Sequence, residues 1–254
     1  MKNTLVDNNQ AFDFGKTSKN YAKYRDIYPK ELFDNLLNLG VGLKNTNWLD
    51  LGTGTGVLPR ALAKYGANII GTDISENQIK EAINLSKEFE NIKYKACSAE
   101  KTKLESDYFD AITACQCFWY FNPELIVPEI KRMIKNNGVF VKIYMDWAED
   151  DEIATASTSL IKKLNPDWNS GKAAIEDLKK HYFDNPLFRT FDVAIPFTRE
   201  TWHGRMLTCR GVQGSMNDET LKKFVNEHLK ILEKYPEEFL IKHKLFIISY
   251  KITK

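Results

Sequence analysis

Apolar positions along this chain alternate between two spacings. Trp48-Leu49-Asp50-Leu51, Asn68 to Gly71, Ile92 to Ala96, Phe109 to Ala114 and Val139 to Tyr144 are short runs of strand length. Between them lie segments with helical spacing: Val57 to Tyr65, closed by Gly66; Ser75 to about Phe89; and Asn122-Pro123 to Ile134. Ser75-Glu76-Asn77-Gln78 has the pattern of a capping box opening a helix. An earlier helix is predicted from Pro29 through Leu32, Phe33, Leu36 and Leu37 to a stop at Gly40, with proline in its first turn and glycine just past its last. Strands alternating with helices predict a parallel sheet covered on both faces.

The alternation breaks after residue 146. Residues 150–183 read as mostly helical, Phe188 to Ile195 as a sixth strand, 198–207 and 217–234 as helices, and Ile241 to Ile252 as a last strand. The expectation is an α/β fold whose seven-stranded, mostly parallel sheet has helices on both faces and helical insertions around the sixth strand. It is expected to form a single domain over 1–254, made of a core over 1–146, insertions over 147–236 and the last strand over 237–254.

Composition narrows the classes. The 36 basic and 34 acidic side chains leave a net charge of +2, and the basic clusters, Lys222-Lys223 and Lys242-His243-Lys244, are short. That argues against nucleic acid as the main partner and gives no sign of electrostatic membrane attachment. Cys97, Cys115, Cys117 and Cys209 form no CxxC pair and no zinc spacing, so no metal is expected and the thiols read as reduced and cytoplasmic. The N-terminus lacks an apolar signal core, and no apolar run approaches the ~20 residues of a spanning helix. Residues 1–28 are polar with interleaved aromatics: Phe12, Phe14, Tyr21, Tyr24 and Tyr28.

The sharpest chemistry is Leu49-Asp50-Leu51-Gly52-Thr53-Gly54-Thr55-Gly56, a glycine-rich turn from the first strand into a helix. Glycines there let the backbone turn tightly and approach a ligand. The dinucleotide fingerprint G-x-G-x-x-G/A does not fit, because the third glycine comes one residue early and Val57 occupies its place. Asp73, ending the second strand, sits at the carboxyl edge where ligands bind in open α/β sheets. Its two acceptor oxygens suit a pair of ribose hydroxyls.

The turn resembles the D-x-G-x-G-x-G motif of the Rossmann-like class I S-adenosylmethionine-dependent methyltransferases. Phe109-Asp110-Ala111-Ile112-Thr113-Ala114 resembles their fourth strand, and Tyr21-Ala-Lys-Tyr24-Arg25-Asp-Ile-Tyr28-Pro29 resembles the opening of the trans-aconitate type. The likeness covers residues 12–145 and extends to small-molecule methyltransferases such as quinone-biosynthesis C-methyltransferases. It implies that Asp50, Gly52, Thr53, Gly54 and Gly56 pack against the methionine and ribose, Asp73 holds ribose, and Ile74 lies along adenine. It further implies that Ala99 and Glu100 meet the adenine, that Ala114 and Gln116 border the sulfonium and substrate, and that Tyr21 and Arg25 lie over the cofactor. The (Asp/Asn/Ser)-Pro-Pro-aromatic motif of nucleic-acid N-methyltransferases is absent after the fourth strand. Trp202, Arg205 and Arg210 resemble a substrate-side segment that would suit an acid; packing as a core tryptophan and surface arginines is an equal alternative.

The expected reaction is direct displacement of a methyl group onto a small-molecule acceptor, leaving S-adenosylhomocysteine, in a cytoplasmic monomer or homodimer. Tyr144 borders the acceptor, and His203 and Tyr144 are the candidate bases. Rival readings are a non-catalytic S-adenosylmethionine-binding protein, an NAD(P)-dependent oxidoreductase, and an RNA or protein methyltransferase. Buried packing is the expected role of Cys115 and Cys117.

Overall fold

The computed structural model describes residues 18–169 and 171–254; Phe12 and Phe14 lie outside them. In chain order the elements are α1 (Ser18–Tyr24), α2 (Lys30–Asn38), β1 (Asn47–Leu51), α3 (Val57–Leu62), β2 (Asn68–Asp73), α4 (Glu76–Leu85), β3 (Ile92–Ala96), β4 (Phe109–Cys115) and α5 (Pro123–Met133). They continue as β5 (Ile134–Trp147), α6 (Glu152–Leu164), α7 (Lys172–Leu178), β6 (Leu187–Thr198), α8 (Arg199–Leu207), α9 (Asp218–Leu232) and β7 (Glu238–Ile252).

The seven strands form one sheet in the order β3-β2-β1-β4-β5-β7-β6. β1 pairs parallel with β2 and β4, β2 with β3, and β4 with β5. The chain runs outward from β1 to β3, returns to β4 and continues the other way. With right-handed crossovers, that reversal puts helices on both faces and opens a crevice at the carboxyl ends of β1 and β4.

Several boundaries differ from the sequence expectation. β5 begins at Ile134, and its pairing with β4 shifts register between Phe109 and Ala111, where Asn137 turns at φ 64°. β6 runs through Pro196 to Thr198. As the last strand in the sheet it can carry a proline, because an edge strand need not donate every amide. α4 ends at Leu85, short of Phe89, and α3 ends at Leu62 in a 3-10 turn, Ala63–Tyr65.

Contacts gather into two compact units: a core unit of Tyr28–Tyr144, Glu176–Phe191 and Leu245–Lys254, and a helical unit of Met1–Ile27, Met145–Ile175 and Asp192–Lys244. The expected division at residues 146 and 236 does not coincide with them, because β5, β6 and β7 each contribute residues to both. The core unit buries Trp48, Leu49, Leu51, Phe109, Ile112, Phe140, Val141 and Tyr250, the near-continuous apolar runs of strands covered on both faces.

In the helical unit α1 is tied to α8 and the turn after it. Arg25 Nε donates to Thr208 Oγ1 at 2.8 Å and its Nη2 to the Thr208 carbonyl at 3.0 Å. Asn20 reaches Gln213 at 3.2 Å, and the Tyr24 ring lies so close over Gly204 that a Cβ there would stand 2.4 Å from it. α8 opens with a Thr198/Thr201 capping box, and α9 is capped by Asn217. Among the described residues no helix is long and apolar enough to cross a membrane.

Candidate functional site

The glycine turn lies at the carboxyl end of β1. Gly52, Gly54 and Gly56 all take left-handed backbone angles, at φ 63°, 57° and 78°. Such angles penalise any residue with a Cβ. A Cβ on Gly52 would stand 2.7 Å from Cys117 Sγ, and one on Gly56 2.2 Å from the Tyr94 hydroxyl. Gly56→Ala is therefore expected to abolish cofactor binding and lower the melting temperature, and Tyr94→Phe in the same chain to recover part of the loss. Calorimetry and thermal melting check both, and wild-type binding by Gly56→Ala would remove the constraint.

Two carboxylates hold this turn. Asp50 is 1% exposed; its oxygens accept from Thr113 Oγ1 at 2.6 Å and Thr53 Oγ1 at 2.7 Å, and Thr113 also accepts from Trp48 Nε1 at 2.9 Å. Burial pushes the Asp50 carboxyl up to about 6, against the pull of both hydroxyls. Asp73 Oδ2 accepts from Gly54 N at 2.9 Å and its Oδ1 from Ser75 N at 2.8 Å. Burial raises Asp73 too, with those backbone donors lowering it. The first strand thus supplies a buried anchor and the second a partly open acceptor on one loop. The part played by Trp48 and the Thr113 hydroxyl follows from the pairing of β1 with β4.

Ile74, beside Asp73, is 64% exposed, unusual for an isoleucine and consistent with an apolar ligand surface. Ala99 is buried in the turn after β3. Glu100 accepts from Asn122 N at 3.0 Å and bonds Ser98 Oγ, so both its oxygens are engaged between the β3 end and the start of α5. Ala114 is buried at the end of β4, and Gln116 follows at φ 56° with its amide on the Ile143 carbonyl at 2.9 Å. A glutamine held in the left-handed region is strained backbone of the kind that clusters at functional sites. Cys117 Sγ donates to the Leu51 carbonyl at 3.1 Å, and burial pushes the Cys115 and Cys117 thiols up, away from thiolate chemistry.

Tyr144 belongs to a buried polar cluster in the core unit. Lys142, 0% exposed, donates to Asp177 Oδ2 at 2.9 Å and to the Asp177 carbonyl at 3.1 Å. The Tyr144 and Tyr182 hydroxyls both donate to the same carboxylate. The ammonium stands 4.6 Å from the Tyr182 ring and 5.2 Å from the Phe118 ring, and Trp119 stacks on Tyr144 at 5.4 Å. Burial and the Asp177 charge push the Tyr144 hydroxyl far up, so it keeps its proton at neutral pH.

The helical unit carries the other candidates. Tyr21 lies under the Arg25 guanidinium at 4.8 Å. Trp202 and Arg205, three apart on α8, both meet Trp147, at 6.0 Å between rings and 5.3 Å from guanidinium to ring. Both are buried, so neither arginine-on-the-surface nor a solvated face describes Arg205. Burial and the nearby Arg25 charge lower Arg205 to about 10. Arg210 donates to the Asn169 carbonyl at 3.0 Å.

His203 turns to α9 instead: its Nδ1 lies 2.8 Å from His228 Nδ1, whose Nε2 lies 2.9 Å from Ser157 Oγ, which also accepts from Trp202 Nε1 at 3.0 Å. Burial lowers His203, and it lowers His228 to about 3 and His243 to about 4. A histidine held neutral when folded stabilises fully above its unfolded value near 6.5 and loses that contribution as pH falls toward the folded value. Asp50, raised to about 6, acts in the opposite sense over pH 4–6. Folding stability is expected to drop by about 2 kcal/mol from pH 7.5 to pH 5.5. Denaturant melts at the two values check this, and equal midpoints would contradict the buried neutral histidines.

Residues 49–142 match the model of a methyltransferase domain family. A protein of Dictyostelium discoideum, described provisionally as a methyltransferase, is 33% identical over 128 residues, 50% of this chain and 47% of that protein. A ubiquinone biosynthesis O-methyltransferase of Coxiella burnetii is 36% identical over 103 residues, 40% of this chain and 42% of its own length. The chain spans about half the length of the curated relatives it matches. Phosphoethanolamine N-methyltransferase 2 of Haemonchus contortus, solved with S-adenosyl-L-methionine, superposes with a TM-score of 0.55 at 13% identity, over 97% of this chain and 61% of that one, a likeness of fold.

Proposed function

We propose that the chain, whose residues 49–142 match the methyltransferase domain family, is a class I S-adenosylmethionine-dependent methyltransferase that transfers a methyl group from S-adenosylmethionine to a small-molecule acceptor by direct displacement. The observation that carries this reading is the loop itself: three left-handed glycines pinned between Asp50 and Asp73 at the sheet's switch point. Packing against Cys117 and Tyr94 keeps Gly52 and Gly56 free of side chains, and the part-buried Asp73 carboxylate beside the 64% exposed Ile74 gives the loop a polar and an apolar surface that fit the cofactor.

When bound, S-adenosylmethionine supplies a methyl group on a positively charged sulfur that is already a good leaving group. The chain's task is to hold and align, which is worth roughly 7–11 kcal/mol of barrier. In this reading Gly52, Thr53, Gly54 and Gly56 receive the methionine and ribose, with Asp50 fixing the turn through Thr53. Asp73 accepts the ribose hydroxyls, and Ile74, Ala99 and Glu100 surround adenine. Ala114 and Gln116 border the reacting carbon, and Tyr21 and Arg25 are assigned to the cofactor by the resemblance of their segment alone. Trp202, Arg205 and Arg210 serve the acceptor, and Tyr144, its proton held by Asp177, serves as wall rather than base.

A small acceptor is supported by the activity of the Coxiella ubiquinone biosynthesis O-methyltransferase and by the near-balanced charge of this chain. The NAD(P) alternative is disfavoured by Val57, buried where that fingerprint needs a small residue. A monomer or homodimer acting in the cytoplasm completes the proposal.

Calorimetric titration with S-adenosylmethionine, S-adenosylhomocysteine, NAD and NADP tests it. Micromolar binding of the two sulfur compounds alone is the expected result, and binding of a nicotinamide cofactor instead would overturn it.

A further inference from the structure

Asp146 and Trp147 close β5 and carry no sequence motif. Asp146 Oδ1 accepts from Trp147 N at 2.9 Å. Its Oδ2 takes no hydrogen bond among the described residues, and a Cβ on Gly171 would stand 2.7 Å from it. Around Trp147 are two buried donors with no acceptor, its own indole Nε1 and Arg205 Nε. Arg205 lies over that indole ring at 5.3 Å, and its Nη1 reaches only the weak acceptor Cys209 Sγ, at 3.4 Å, among the described residues.

Buried donors are almost always paired, so two orphans beside one ring ask for a missing acceptor. Among the described residues no carboxylate forms an ion pair with Arg205, on which Asp146 acts only through space, although it is buried and feels the like charge of Arg25. A buried charge of this kind is expensive unless a ligand completes it. Asp146, in the same unit, offers the complementary group: a carboxylate with one oxygen held by the Trp147 amide and the other taking no hydrogen bond among the described residues.

We propose that this cluster is the acceptor's binding and proton-transfer site: Arg205 and Trp147 Nε1 hold an anionic group of the acceptor, and Asp146 Oδ2 removes the proton from its O–H or N–H nucleophile. The inference rests on the methyl-transfer reading and narrows its substrate to small hydroxy or amino acids. As the carbon–sulfur bond breaks and the carbon–oxygen or carbon–nitrogen bond forms, sulfur keeps the bonding pair and Asp146 takes the acceptor's proton. Methyl esters are not the product, because a carboxylate nucleophile has no proton to give. Burial raises Asp146 while the Trp147 amide and the Arg205 charge lower it and Glu149 raises it; a raised carboxyl suits a base working near neutrality.

The test titrates protein saturated with S-adenosylhomocysteine with lactate, malate, 4-hydroxybenzoate, serine and glycine, followed by turnover with labelled S-adenosylmethionine. At least one of these acids is expected to bind. Its affinity should fall about tenfold or more in Trp147→Phe and Arg205→Lys, the latter keeping charge without Nε, and should hold in Asp146→Asn. Turnover by Asp146→Asn should fall by about 10²–10⁴-fold, with loss of the rising limb of the kcat–pH profile. Melting curves verify that each variant folds. Undiminished affinity in folded Trp147→Phe and Arg205→Lys, normal kcat in Asp146→Asn, a methyl-ester product, or no binding of any of the acids overturns the inference. Failure to bind S-adenosylhomocysteine would instead bring down the broader methyltransferase reading.

Discussion

Asp73→Ala is expected to weaken S-adenosylmethionine binding by about a hundredfold or more while leaving the melting temperature nearly unchanged. Hydrogen bonds to a charged group are worth about 1.5–3 kcal/mol each, and the proposed ribose contact uses two. The side chain also fixes the loop, since its oxygens accept from Gly54 N and Ser75 N. Alanine therefore removes a ligand contact and slackens the turn that presents the others. The fold is spared because Asp73 ends β2 at a partly open edge and carries a burial cost that alanine does not. Asp73→Asn, which keeps one acceptor oxygen, should fall between the two. Calorimetry beside thermal melting separates the effects, and an unchanged dissociation constant in Asp73→Ala would remove Asp73 from the ribose.

The largest stability effect is expected at Asp177. Removing one partner of a buried ion pair costs about 3–5 kcal/mol, because the remaining charge is left without compensation. Asp177→Ala would strand the Lys142 ammonium among Phe118, Tyr144 and Tyr182 and leave two tyrosine hydroxyls without their acceptor. A fall in melting temperature of roughly 10 °C follows for a chain of this size. The double variant Lys142→Met/Asp177→Leu should regain most of it, since an apolar pair of similar volume often substitutes for a buried salt bridge. A single variant that melts like wild type would mean that water reaches this cluster.

Much of the core unit is legible in the chain because its determinants are local. β1 to β4 carry apolar runs bounded by glycine, asparagine or aspartate, and the structure places each within two residues of the predicted ends. The glycine spacing around residue 54 requires left-handed backbone, and all three glycines adopt it. What could not be read depends on partners distant in sequence. Lys142, between Val141 and Ile143, reads as an ordinary solvent-facing strand position, yet it is buried because Asp177 arrives from 35 residues downstream. The first turn of β5 contains Lys135, Asn136 and Asn137, which promise a loop, and Asn137 does turn while pairing continues. The orphaned donors of Trp147 and Arg205 have no sequence signature, since they are defined by what packing leaves unpaired.

The ties between α1 and α8 have a consequence for how such chains are recombined. Asn20, Tyr24 and Arg25 find their partners at Gln213, Gly204 and Thr208, all in the helical unit. A chimera that exchanges the C-terminal insertions between relatives but keeps its own N-terminal helix would press a foreign surface against Tyr24 and leave Arg25 without its hydroxyl. Acceptor range should therefore be portable only as a cassette, with the N-terminal segment inherited together with residues 145–175 and 192–244 while the glycine turn stays behind.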